Sequence, residues 1–103
     1  MMDEQKYTEF YSCGNIKLMY LKDEGRYSFL EREHVGENAW RYNEVIVASD
    51  ALEEAMDMPS SYETTPDSKI RLLFGNQEGM THFMNFCDEY GLDTKSLSWE
   101  EGQ

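Results

Sequence analysis

The sequence has few cysteines, few basic residues and no long apolar run. Its two cysteines, Cys13 and Cys87, do not make a disulfide framework, and we expect both to remain thiols in a reducing cytoplasm. No apolar run approaches the roughly 20 residues of a membrane span. Residues 1–6 lack the basic and apolar regions of a signal peptide. These absences exclude a disulfide-rich secreted domain and predict a cytoplasmic location.

Basic residues are the scarcer charged type. Nine Lys and Arg stand against 21 Asp and Glu, and the net charge is −12. A surface of this sign repels DNA, RNA and anionic membranes, and it attracts basic surfaces. Seven Tyr, five Phe and two Trp distinguish the chain from acidic disordered tails, which contain few aromatics. We therefore expect a folded acidic domain that binds a basic protein surface and does not bind nucleic acid or membrane directly.

The motifs of common enzyme classes are missing as well. The chain has no P-loop, no G-x-G-x-x-G, no H-E-x-x-H and no G-x-S-x-G. His34, His82 and the two cysteines lack the close paired spacing of zinc ligands. Carboxylates are so frequent that a glycosidase-like pair carries no information. We expect no catalytic site, no metal ion and no cofactor.

Apolar periodicity predicts one α+β domain over residues 1–103. We expect a mostly antiparallel sheet of about four to five strands with two helices packed on one face. The predicted strands cover residues 6–12, 16–22, 26–32, 42–48 and 69–74. The predicted helices begin at Asp50 and Asn76 and end at Pro59 and Gly91.

Several local signals refine this prediction. Asp23-Glu24-Gly25 is typical of a hairpin turn between the second and third strands. Residues 33–40 are expected to form a loop, and residues 92–103 a partly flexible tail that Trp99 pins to the body. Four residues at i, i+3, i+4 and i+7 predict the buried face of the second helix. They are Met80, Phe83, Met84 and Cys87.

Helix-spaced acids form the most distinctive pattern, which we call the acidic stripe: Asp50, Glu53, Glu54 and Asp57. Their i, i+3, i+4, i+7 spacing places all four carboxylates on one helix face, with neighbours about 5–6 Å apart, which resembles a short row of phosphates. Two interpretations remain open. The stripe is either a solvated face whose first acids complement the helix dipole, or a face that binds a partner.

A second group of acids follows at the end of the second helix. Asp88 and Glu89 lie in its last turn, where negative charge opposes the helix dipole at a cost of about 0.3–1 kcal/mol each. Such residues are either incidental or retained for binding. The full set of candidate partner-binding residues is Asp50, Glu53, Glu54, Asp57, Glu63, Asp88, Glu89 and Asp93.

In size and charge the chain resembles a broad class of small acidic proteins, often phage-encoded, that block nucleic-acid-binding enzymes. DNA-mimic antirestriction proteins, some anti-CRISPR proteins and uracil-glycosylase inhibitors belong to it. These proteins share neither fold nor motif, so the resemblance assigns no role to any residue. It implies a non-enzymatic inhibitor that acts in the host cytoplasm. The alternative is a small cytoplasmic accessory or regulatory protein-binding domain, including the toxin-immunity type, without nucleic-acid mimicry.

Overall fold

The computed structural model describes residues 4–56 and 66–102, which form a five-stranded antiparallel sheet with three α-helices. The strands are β1 (Thr8–Cys13), β2 (Ile16–Asp23), β3 (Arg26–Gly36), β4 (Ala39–Ala48) and β5 (Thr94–Gly102). The helices, which all lie between β4 and β5 in the chain, are α1 (Ser49–Ala55), α2 (Pro66–Phe74) and α3 (Gly79–Glu89). The predicted α+β class with an antiparallel sheet is confirmed, with three helices in place of two.

The strands follow one another across the sheet in chain order, from β1 to β5. The predicted hairpin between β2 and β3 is confirmed, because Asp23 pairs with Arg26 across a two-residue turn. Its central residues, Glu24 and Gly25, have φ values of 47° and 82°. Two positive φ values define the type I′ turn, whose twist matches that of the flanking strands.

The prediction of a loop over residues 33–40 was wrong. β3 continues to Gly36 and β4 begins at Ala39, so a second tight hairpin occupies most of this segment. His34 pairs with Trp40 across the hairpin, and the two rings stack with centroids 4.3 Å apart. Cross-strand aromatic pairs stabilise a sheet, and this pairing offsets the weak strand propensity of the polar residues around it.

Residues 69–74, which we predicted as a strand, lie in helix α2. Ile70 and Phe74 are four residues apart and both are buried, as expected for one face of a helix. Arg71 Nε donates to Asp67 Oδ2 at 2.7 Å, a pair that also requires helical spacing. Leu72, on the outer face, is 79% exposed. A short apolar run does not distinguish a strand from a buried helix, and here packing against the sheet selects the helix.

The segment of residues 92–103, for which we predicted a partly flexible tail, is mostly a strand. Its residues from Thr94 to Gly102 form β5, which pairs with β4 along its length. Trp99 pairs with Tyr42, and their rings stack with centroids 5.2 Å apart and planes 9° apart. Trp99 therefore fixes this segment as predicted, but it does so as part of a full strand.

Apolar side chains form two clusters on opposite faces of the sheet, as the alternation along each strand requires. The larger cluster combines sheet residues with apolar side chains from all three helices, and Phe29 lies within it. The ring of Phe83, from α3, stacks on that of Phe29 at 3.8 Å. The smaller cluster consists of Met19, Leu30 and Tyr42, with Tyr7, Trp40 and Trp99 packed against it.

The predicted buried face of the second helix is confirmed at three of its four positions. Met80, Phe83 and Cys87 are buried, but Met84 is 47% exposed. Met84 lies beside Leu97 of β5 at the edge of the interface, because the helix contacts the sheet along a narrow stripe. This helix begins at Gly79 and not at Asn76, whose side chain accepts a hydrogen bond from the backbone N–H of Glu78.

Among the described residues, no helix is both long and apolar enough to cross a membrane.

Candidate functional site

The candidate partner-binding residues divide into three sets. Asp50, Glu53 and Glu54 lie on α1. Asp88 and Glu89 form the last turn of α3, and Asp93 lies in the connection to β5. Asp57 and Glu63 lie outside the described residues, as does Pro59, the predicted end of the first helix.

Glu53 is half-buried and hydrogen-bonded to two residues of the sheet. Its Oε2 accepts hydrogen bonds from Tyr27 Oη at 2.6 Å and from Lys22 Nζ at 2.8 Å. The donation from Lys22 and then that from Tyr27 hold the pKa of Glu53 below its usual value. The ring of Tyr27 is fully buried under the helices. Glu53 therefore fixes α1 to the sheet, whereas Asp50 and Glu54 of the same acidic stripe are exposed.

This engagement predicts a pH-dependent effect of Glu53→Gln. The folded-state pKa of Glu53 is lowered, so its stabilisation is complete above the unfolded-state pKa and is lost as the pH falls through the folded-state value. We expect the substitution to lower the free energy of unfolding by about 1–2 kcal/mol at neutral pH. The difference from wild type should shrink below the ordinary glutamate pKa of 4.5. Urea denaturation at neutral and acidic pH measures both values.

Glu54→Gln is the matched control for this experiment, because Glu54 is the next residue on the same helix and is exposed. Its stability should stay close to that of wild type at both pH values. A Glu53→Gln effect of constant size across the pH range would contradict the proposed role of the carboxylate.

Glu54 lies at a groove between α1 and the connection from α3 to β5. The groove has a volume of about 540 Å³. It is lined by Ala51, Glu54, Ala55, Tyr90 and Leu92. Ala51 and Ala55 are one helical turn apart and are small, so they leave the space on this face of α1 open. Among the described residues no basic side chain lines the groove. We call this feature the acidic groove.

The far wall of the acidic groove is positioned by the end of α3. Gly91 has a φ of 66°, and its N–H donates to the carbonyl of Asp88 at 3.2 Å. The N–H of Leu92 donates to the carbonyl of Cys87 at 2.8 Å. These two bonds form a Schellman motif, which confirms the predicted C-terminal cap at Gly91. The reversal of the chain places Tyr90 and Leu92 on the groove.

Three further candidate acids are next in the sequence to the residues of the far wall. Asp88 and Glu89 directly precede Tyr90, and Asp93 directly follows Leu92; all three acids are exposed. The structure thus brings Glu54 of α1 close to a chain segment that carries the other candidate acids. Tyr90 is 55% exposed. In the sequence, Tyr90 and Leu92 are marked by their position on either side of the capping glycine, whereas no pattern marks Ala51 and Ala55 as groove residues.

The chemistry of the acidic groove suits a basic side chain. Alanine, leucine and tyrosine surfaces accommodate the aliphatic stem of Lys or Arg, while a carboxylate at the rim accepts its charged end. The face of an exposed Tyr ring also attracts a cation. The groove therefore combines an apolar floor with negative charge, as expected of a contact surface for a basic protein.

The His and Cys side chains are the remaining candidates for a reactive site. Within residues 4–56 and 66–102, no group of three or more His, Cys, Asp and Glu side chains is arranged to hold a metal ion. Cys13 is exposed, whereas Cys87 is buried, and burial raises the pKa of the Cys87 thiol to about 11. His82 Nε2 lies 3.7 Å from Glu78 Oε2 on the same helix turn.

Comparisons of this chain with protein-family models, with curated proteins and with solved structures give no match. The functional assignment therefore depends on the chemistry of the acidic groove and on the charge of the chain.

Proposed function

We propose that this protein is a non-enzymatic inhibitor that binds the basic nucleic-acid-binding surface of a target enzyme. One observation carries the proposal. The acidic groove joins Glu54 of α1 to an exposed Tyr90 and to the acid-rich segment around it, in a chain of net charge −12. An acid of α1 thus lies on a groove with an apolar centre whose far wall belongs to the acid-rich segment that follows α3.

The mechanism is competition for the target's substrate site. Opposite net charges steer the inhibitor to the basic groove of the enzyme and raise the association rate by about 10- to 10³-fold. A basic side chain of the target enters the acidic groove, where Tyr90 supplies the kind of amphipathic aromatic contact that is enriched in interfaces. Nucleic acid is then excluded because its binding surface is occupied. The proposal places this activity in the cytoplasm of a host cell, with a phage-type antirestriction or anti-CRISPR role.

A second candidate function is the accessory or regulatory protein-binding domain. It is favoured by a separate cavity of about 230 Å³ between α3 and β5, where Met84 and Leu97 are 47% and 41% exposed. A partner bound there would be held mainly by apolar contact. Its affinity should change little between low and moderate salt, whereas an electrostatic competitor should weaken steeply.

The test uses a panel of purified restriction endonucleases, RNA-guided nucleases and uracil-DNA glycosylases. Wild-type protein should inhibit DNA binding by one of them, in competition with DNA and with strong salt dependence. The double variant Glu54→Lys, Asp88→Lys should associate at least about tenfold more slowly, because it places positive charge against a basic surface. Stopped-flow or surface plasmon resonance measures the association rate. Both lysines complement the dipole at a helix C-terminal end, so folding should persist.

The control variant is Glu37→Lys, Glu78→Lys, which changes the net charge equally. Glu37 lies at the opposite end of β4 from α1, and Glu78 at the opposite end of α3 from Tyr90. Equal slowing in both folded variants would remove the groove from the proposal and leave only the net charge. Absence of any inhibition across the panel, together with salt-insensitive binding of another protein, would favour the accessory domain.

A further inference from the structure

Strand β5 forms a long and regular edge of the sheet. It is last in the strand order, and within the described part of the chain no strand pairs with its outer side. It extends from Thr94 to Gly102, contains no proline, and pairs with β4 without a register shift. All of its residues except Trp99 are exposed. Such an edge presents a row of unpaired backbone N–H and C=O groups to another strand.

The opposite edge, β1, is protected in two ways. Its pairing with β2 is interrupted by a register shift between Glu9 and Tyr11, as in a β-bulge. The carbonyl of Glu9 also accepts a hydrogen bond from Arg71 Nη2 of α2 at 2.9 Å. Bulges and covering elements hinder the addition of a strand. Of the two edges, β5 is therefore the one suited to pairing.

The helix layer leaves β5 accessible. Ser96 is opposite Val45, which belongs to the larger apolar cluster, so Ser96 and Ser98 lie on the face of the sheet that the helices cover. Both serines are nevertheless exposed. The helices thus end before the outer edge of β5, and a second strand can approach it.

The residue order of β5 is complementary to itself. When two copies of the strand pair antiparallel with Ser98 opposite Ser98, Lys95 of each copy is opposite Glu101 of the other, and Leu97 is opposite Trp99. Opposite charges at directly opposed positions stabilise an antiparallel pair. Leu97 is 41% exposed, and its contact with Trp99 would remove apolar surface from water. Two-fold symmetry repeats each of these pairs.

Other registers lose this match. A shift of two residues in one direction places Leu97 opposite Glu101, and the same shift in the other direction places Glu101 opposite Asp93. The carboxylate of Glu101 is already oriented, because its Oε2 accepts from Trp99 Nε1 at 3.0 Å. A carboxylate accepts several hydrogen bonds, so Glu101 can also bind a lysine of the other copy.

We propose that β5 pairs with β5 of a second copy of this chain, so that the two sheets join into one continuous sheet. This inference does not depend on the proposed inhibitor function, whose groove lies between α1 and the end of α3. One strand pair is a small interface, so the dimer is weak. The net charge of −12 on each copy opposes association, but salt at physiological concentration screens charges farther apart than about 8 Å.

Charge reversal tests the pairing by sedimentation velocity at physiological salt, over protein concentrations from micromolar to millimolar. Wild type should dimerise reversibly. Lys95→Glu and Glu101→Lys should each weaken dimerisation about tenfold or more, since each places like charges opposite one another twice. An equal mixture of the two variants should recover the dimer, because every opposed pair then again carries opposite charges.

Glu100→Lys is the matched control. Glu100 is next to Glu101 but points to the other face, and in the proposed register it is opposite Ser96. Both substitutions reduce the negative charge equally, so weaker repulsion alone would strengthen both dimers. We expect Glu100→Lys to dimerise at least as well as wild type. A wild type that stays monomeric to millimolar concentration, or equal dimerisation of the two folded variants, would overturn the inference.

Disulfide trapping tests the register without reversing a charge. It uses a Cys13→Ser background, because Cys13 is exposed. Ser98→Cys should form a crosslinked dimer on mild oxidation, since opposed Cα atoms of an antiparallel pair are about 4.5–5.5 Å apart, within reach of a disulfide. Ser96→Cys would lie about 13 Å along the strand from its counterpart and should stay monomeric. Equal crosslinking at both positions would show that the proposed pairing is wrong.

Discussion

Replacement of Phe83 by alanine is expected to lower the free energy of unfolding by about 3–5 kcal/mol, the usual range for a core phenylalanine. Phe83 is 1% exposed. Its ring stacks on Phe29 at 3.8 Å and meets Phe74 edge-on at 5.3 Å. One side chain therefore links α3 to the sheet and to α2. Alanine would remove both ring contacts and leave a cavity that the rigid sheet cannot close.

Met84→Ala is the matched control, because Met84 is the next residue on the same helix and is largely outside the core. Its expected loss is below about 1 kcal/mol. Urea denaturation of wild type and of both variants, fitted with a common m-value, measures the two losses of unfolding free energy. If the curves of wild type and Phe83→Ala coincide, the assignment of α3 to the core is wrong.

The second large effect is expected for Gly79→Ala at the start of α3. A Cβ atom at this position would lie 2.1 Å from the carbonyl oxygen of Phe74 and 2.6 Å from Cδ1 of Leu18. Neither distance is compatible with van der Waals contact, and the first involves backbone. To accommodate the Cβ atom, α3 would have to move away from α2 and from the sheet. We therefore expect the substitution to lower the free energy of unfolding by about 1–3 kcal/mol or more. Thermal and urea denaturation measure the loss.

Gly36→Ala is the control for this variant. Its Cβ would meet only the Cβ of Ala39, at 3.4 Å in the turn between β3 and β4. We expect a change within about 0.5 kcal/mol, as for most surface substitutions. Equal stability of Gly79→Ala and Gly36→Ala would show that the close contact among α2, α3 and β2 is relaxed in solution.

The pH effect at Glu53 and the slowed association of the groove variant concern smaller energies. Together these two experiments distinguish the roles of two acids in the acidic stripe. Glu53 stabilises the domain, whereas we propose that Glu54 contacts the partner. The two residues are adjacent in the sequence and carry the same side chain, so only their surroundings distinguish them.

Local signals in the sequence were sufficient for the hairpin between β2 and β3, for the cap at Gly91 and for most of the buried face of α3. Each depends on residues a few positions apart: a glycine in a turn, a glycine at a helix end, or apolar side chains with helical spacing. The net charge also follows from composition alone. The prediction that a partner surface is positively charged depends on this net charge and needs no knowledge of the fold.

Long-range pairing decided the elements that sequence analysis missed. Residues 94–102 become a strand because Trp99 reaches Tyr42, 57 positions earlier in the numbering, along a register that no local pattern specifies. Residues 66–74 become a helix because Ile70 and Phe74 bury the same face against the sheet. In both segments the local sequence did not decide the secondary structure, and burial of apolar surface determined which element formed.

The sequence by itself determined the class of fold, the acidic character and the identity of the candidate acids, since these depend on composition and short spacings. Tertiary structure alone decided which acids are engaged and which are exposed. It joined Glu54 to Tyr90 across the acidic groove, and it set Lys17 opposite Arg32 on neighbouring strands. The physical reason is that electrostatic and hydrogen-bonding roles depend on distances between atoms, and chain folding sets those distances between residues far apart in the sequence.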